Sequence, residues 1–102
     1  MRTPESRVAD VLRAAAREHG VLLRKLRWEG RLGAPDYLAA YAGRVYFIET
    51  KAPGEHPRPS QIAEFNQLAR AGLPVAVINN AADARAAIKR IVTCTKKGTQ
   101  DT

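Results

Sequence analysis

The stretch PDYLAAYAGRVYFIETK, residues 35–51, reads as two short strands joined by a tight turn. Residues 37–42 and 45–50 are rich in aromatic, β-branched and small apolar side chains, and Gly43 lies between them, the pattern of a hairpin. A turn centred between Ala42 and Gly43 sets residue 36 opposite residue 49, because their numbers sum to the same value as 42 and 43. Asp36 and Glu49 then become cross-strand partners with Cα atoms roughly 4.5–5.5 Å apart. Side chains alternate along a strand, so Glu49 and Lys51 share the face of Asp36. Two carboxylates set opposite one another repel, a poor way to stabilise a hairpin. A divalent cation between them removes that cost, and the neighbouring ammonium then acts on whatever the metal binds.

Pro35-Asp36, twelve intervening residues and Glu49-Thr50-Lys51 resemble the PD-(D/E)xK nuclease signature. The run Gly33-Ala34-Pro35-Asp36, then residues 47–54 (FIETKAPG), then Ser60-Gln61, a helix, and residues 72–75 (GLPV) resembles the stand-alone VRR-NUC domains of phage and bacterial proteins. The resemblance spans about residues 5–88, and the order and spacing of the motifs make it specific. It implies a restriction-endonuclease-like core and a Mg²⁺- or Mn²⁺-dependent DNA endonuclease. It also implies a preference for branched or four-way-junction DNA, cut by a homodimer.

The bulk composition is compatible with that expectation. A chain of 102 residues makes one domain with a single modest core, here residues 1–94, followed by a polar tail over 95–102. Lys and Arg outnumber Asp and Glu by 17 to 10, a net charge of +7, which on so small a domain suits a polyanion such as nucleic acid. Cys94 is the single cysteine, so a disulfide framework and a cysteine zinc site are excluded. No apolar run approaches the ~20 residues of a membrane span, and the N-terminus lacks the apolar core of a secretory signal. The expected setting is reducing and cytoplasmic, in a bacterial or phage-infected cell.

Taken in order, Thr3-Pro4-Glu5 is a helix start, with a capping hydroxyl, a first-turn proline and an acid at the positive end of the dipole. Val8, Val11, Leu12 and Ala15 recur at helical spacing, and Gly20 is the stop. Residues 21–28 alternate loosely as a strand, with Val21, Leu23 and Lys25 on one face. Residues 29–34 are a polar connection in which Arg31 can reach a nucleic-acid backbone, whereas Trp28 is expected to pack. Residues 52–59 form a proline-rich loop beside the hairpin's acids, carrying His56, expected to be solvated, and Arg58. A second helix begins at Pro59 or Ser60 with the apolar stripe Ile62, Phe65, Leu68 and Ala69, and stops at Gly72. Residues 73–78 read as a strand buried on both faces, parallel to its predecessor. Asn79 or Asn80 caps a last helix with the stripe Ala84, Ala87, Ile88 and Ile91. The expected fold is α/β: a mixed four-stranded sheet flanked by helices in the order α-β-β-β-α-β-α.

The family pattern assigns residues by position. Asp36 and Glu49 hold the metal, with the backbone carbonyl of Thr50 as a third ligand. Lys51 orients or deprotonates the attacking water, or stabilises charge on the phosphate; both roles stay open. Glu5 matches an acid on the first helix that reaches the metal, with helix-dipole complementation as its plainer role. Gln61 matches a glutamine that hydrogen-bonds the water or phosphate. Lys25 matches a lysine near the site, though Arg24 or Arg27 fits another register. Lys25, Arg31, Arg58 and Ser60 are the candidate substrate contacts. Hard oxygen donors suit magnesium, which keeps several waters and needs only one or two carboxylates. Two alternatives stand beside this reading: a nucleic-acid-binding module that does not cleave, and a nuclease subunit that requires a partner chain.

Overall fold

Capping chemistry and hydrophobic spacing account for the first helix of the computed structural model, which describes residues 3–100, the side chains of 95–100 excepted. Helix α1 (Pro4–His19) starts at Thr3, whose hydroxyl accepts the Ser6 N–H, and ends at Gly20 with φ 72°, a left-handed conformation that costs glycine little. Strands β1 (Leu22–Lys25), β2 (Tyr37–Tyr41) and β3 (Arg44–Thr50), helix α2 (Pro59–Arg70), strand β4 (Val75–Ile78) and helix α3 (Ala81–Gln100) follow. The sheet order is β1-β2-β3-β4. The first two pairings are antiparallel and the last is parallel. This is the mixed four-stranded α/β architecture expected from the sequence.

The hairpin register also follows the expectation: Tyr37 pairs with Ile48, Leu38 with Phe47 and Ala39 with Tyr46. Ala42 and Gly43 both have positive φ, 51° and 81°, the two-residue turn whose twist matches that of the flanking strands. The sheet's inner face, with Tyr37, Ala39, Ile48 and Ile78, packs on Val8, Leu12 and Ala15 of α1 and on Ala84, Ile88 and Ile91 of α3. Leu12 and Ile88 are fully enclosed. Leu12→Ala should therefore cost about 2–5 kcal/mol, read as a lower denaturation midpoint with an unchanged slope.

Three expectations need correction. The first strand is shorter than residues 21–28: after Lys25 one more bond forms, Leu26 N–H to the Asp36 carbonyl, and Pro35 then has no N–H with which to extend the ladder. The expected apolar stripe of α2 is not its buried face. Gln61 and Glu64 are buried, Phe65 and Leu68 are half-buried, and Ile62 is 48% exposed. That helix lies against Glu49 and Lys51, so its inward face is polar. Strand β4 is an edge strand with one neighbour, and Ala76 and Val77, on opposite faces, are both exposed, so an apolar run that reads as doubly buried is only partly covered. Helix α3 runs on to Gln100, so most of the polar stretch 95–102 has helical backbone. Among the described residues no helix is long and apolar enough to cross a membrane.

Candidate active site

Pro35, fully buried, fixes the entry to β2 and places Asp36 just beyond the last hairpin pair. There the two strands bond through side chains instead of the ladder. The Asp36 N–H donates to Glu49 Oε1 (3.0 Å), while the Thr50 N–H and hydroxyl donate to Asp36 Oδ2 (3.0 and 2.7 Å). Each carboxylate is thus held by the backbone of the opposite strand, and the two acids converge as the register requires.

Glu49 is 2% exposed. Its Oε2 accepts the Gln61 side-chain N–H (2.7 Å) and lies 3.1 Å from Lys51 Nζ. Lys51 donates in turn to Gln61 Oε1 (2.9 Å), which also accepts the Arg58 backbone N–H (2.9 Å). Gln61 therefore caps its own helix and bridges acid and amine. Its carbonyl oxygen already has two donors, leaving one amide N–H uncommitted. Burial, and then the Asp36 charge, push the Glu49 carboxyl above its usual range against the opposing pull of Lys51 and Gln61. A perturbed carboxyl with a specific charge partner marks a functional-site candidate.

The remaining predicted residues lie around this centre. Lys25 is largely exposed, with Nζ 3.8 Å from Asp36 Oδ1 and 4.8 Å from the centre of the Tyr37 ring. Arg58 and Ser60 are exposed at the start of α2. Glu5 is exposed in the first turn of α1. Among the described residues no third Asp, Glu, His or Cys side chain completes a metal-binding group, so Glu5 does not stand with Asp36 and Glu49. Arg31 is committed elsewhere: Nε and Nη2 bind Glu64 Oε1 at 2.8 and 2.7 Å.

Glu64 escaped the sequence reading. It is buried, and its other oxygen accepts the Trp28 indole N–H at 2.7 Å. Arg31 and Trp28 hold its carboxyl below the usual range. The Trp28 ring meets Phe47 edge-on, with centroids 6.2 Å apart. Glu64 thus ties the loop leading to Asp36 onto the helix that carries Gln61. The available signal was spacing: Gln61 and Glu64 are three apart and share one helix face. Gly33 lets the loop come this close. Its φ is 94°, and a Cβ there would run into the Ser60 carbonyl and the Glu64 side chain. Gly33→Ala should cost at least about 1–3 kcal/mol in backbone strain alone, measurable by chemical denaturation, and should displace the start of α2.

No family model matches the chain. A protein of Acyrthosiphon pisum secondary endosymbiont phage 1, named "Putative nuclease p44", is 36% identical over 77 residues, 74% of this chain and 83% of that protein. A solved structure described as "VRR_NUC domain" superposes with a TM-score of 0.79 at 32% identity, covering 86% of this chain and 97% of that one. Another, a "VRR_NUC domain protein", gives 0.67 at 16% identity, covering 91% of each chain, a likeness of fold. Architecture and solved relatives together define an α/β domain of the VRR-NUC fold. The chain belongs to the VRR-NUC family.

Proposed function

We propose that the protein is a DNA endonuclease that hydrolyses phosphodiester bonds with Mg²⁺ or Mn²⁺. The observation that carries this reading is the convergence of Asp36 and Glu49 with Lys51 and Gln61 bonded to the same Glu49 oxygen. The relative named as a nuclease supports it.

The donor set fits a hard divalent cation. Two carboxylates lie together, one raised in pKa partly by the other's charge, and among the described residues Asp36 Oδ1 has the Lys25 ammonium, 3.8 Å away, as its ion-pair partner. Asp36 and Glu49 would hold the ion, with the Thr50 carbonyl oxygen as a third donor. When bound, such an ion polarises a phosphoryl oxygen and lowers the pKa of a bound water. The chain's own contribution is positioning and charge. Lys51 is held in its ion pair with Glu49 and is oriented by Gln61, which suits it to stabilise negative charge developing on the phosphate. The free N–H of Gln61 can donate to a phosphate oxygen or to water. Pro35 and the Glu64 clamp keep the two halves of the site in register.

Selectivity for branched DNA and a homodimer belong to the same proposal. A two-fold pair of small domains would present two sites to two strands of a junction, and exposed Ile62 on α2 and Val77 on edge strand β4 offer apolar surface for the contact. Incubation with linear, flapped and four-way-junction DNA should give product only with Mg²⁺ or Mn²⁺, and most from the junction. Binding without product at any metal concentration would overturn the nuclease reading. A monomer by sedimentation at working concentration would remove the dimer.

A further inference from the structure

A pocket of about 400 Å³ lies between α1 and edge strand β1, lined by Arg13, Arg17, Arg24, Lys25, Leu22 and Tyr37 among others. Four of its lining side chains are cationic and none is acidic. Arg13 is fixed in place, donating to the Tyr37 hydroxyl at 3.0 Å and paired with Asp10. Tyr37 is buried, so its ring is part of the wall and is not available for base stacking. Among the described residues Arg17 forms no ion pair and Arg24 bonds only the adjacent Leu23 carbonyl (2.9 Å). Lys25 joins the pocket to the catalytic centre, since its ammonium lies over Tyr37 and 3.8 Å from Asp36. Four cationic side chains gathered at the rim of one concavity raise a positive potential there that attracts an anion.

We propose that this pocket is a phosphate subsite for the substrate strand, holding a backbone phosphodiester beside the one at Asp36 and Glu49. The proposal rests on the nuclease reading for the identity of the strand, but not for the anion chemistry. Arg17 and Arg24 supply free guanidinium donors suited to phosphate oxygens, and Arg13 sets the far wall. The strand would then cross the edge of the sheet over β1, leaving the exposed β4 side uncovered.

The test is a salt titration of DNA binding in EDTA, with a short fluorescent duplex carrying or lacking a 5′-phosphate. R17A/R24A should weaken binding about tenfold at 0.1 M salt and reduce the slope of log K against log[salt] by about 1, the contribution of one phosphate. R85A/K89A on the exposed side of α3 makes the same charge change and should leave the slope unaltered. Circular dichroism and melting verify that both variants fold. A wild-type slope in R17A/R24A, or an equal loss in R85A/K89A, overturns the subsite. An effect confined to the 5′-phosphorylated duplex overturns the backbone assignment in favour of a terminal phosphate. Should wild-type protein fail to cut with Mg²⁺ or Mn²⁺ while the R17A/R24A effect persists, the nuclease reading falls and the phosphate subsite stands.

Discussion

Asp36→Asn is expected to reduce cleavage by a factor on the order of 10²–10³ or more while leaving the fold intact. The asparagine oxygen can take the place of Oδ2 and keep both Thr50 donors. Its NH₂ then replaces Oδ1, setting a donor where a cation needs an acceptor. The stability readout has a defined sign. Glu49 is raised first by burial and then by the Asp36 charge, so the native state holds more protons than the unfolded one between the ordinary carboxylate range and the raised value. Stability from this group is complete below the ordinary range and is lost as pH rises through the raised one. Removing the Asp36 charge trims that loss. In EDTA at neutral pH the variant should thus melt at or above the wild-type temperature, with the advantage shrinking as pH falls through the Glu49 transition. Added Mg²⁺ or Mn²⁺ should raise the wild-type melting temperature by mass action and leave that of the variant unmoved. A variant that still cuts, or still gains stability from the metal, would refute the assignment of Asp36.

The outcome of these tests depends on a register that is legible in the amino-acid sequence. Strand alternation has a period of two, and a turn at Ala42-Gly43 admits one pairing, so Asp36 had to face Glu49. The α1 and α3 stripes were equally readable, because Leu12 and Ile88 recur at helical spacing on faces that meet only apolar neighbours. What could not be read was set by neighbours distant in sequence. Apolar content in residues 73–78 says nothing of sheet order, so the exposure of Val77 on an edge was hidden. Helix α2 misled for a related reason: hydrophobic spacing assumes an apolar partner, and here the partner is Glu49 and Lys51. Glu64 shows the same limit. Its counterparts, Trp28 and Arg31, lie more than thirty residues away, and only the folded loop around Gly33 brings them within reach.

Lys51→Met separates holding a metal from acting on the phosphate. Lys51 is 10% exposed along its side chain, and methionine fills a similar unbranched volume without the ammonium. Cleavage should fall on the order of 10²–10³-fold. Metal binding should move the opposite way from Asp36→Asn. With a positive charge gone from beside Glu49, a divalent cation meets less repulsion and binds at least as tightly as in the wild type. In EDTA the Glu49 carboxyl should rise further, because Lys51 is among the groups that pull it down. The loss of stability with rising pH then extends to higher pH, and added Mg²⁺ or Mn²⁺ recovers more of it than in the wild type. Gln61 keeps its bonds to Glu49 and to the Arg58 N–H, so the start of α2 should stay in place. Loss of cleavage with retained metal-induced stabilisation assigns Lys51 to the charge on the phosphate. Loss of both together would make the lysine part of the scaffold that holds Glu49, and the electrostatic role proposed for it would be wrong.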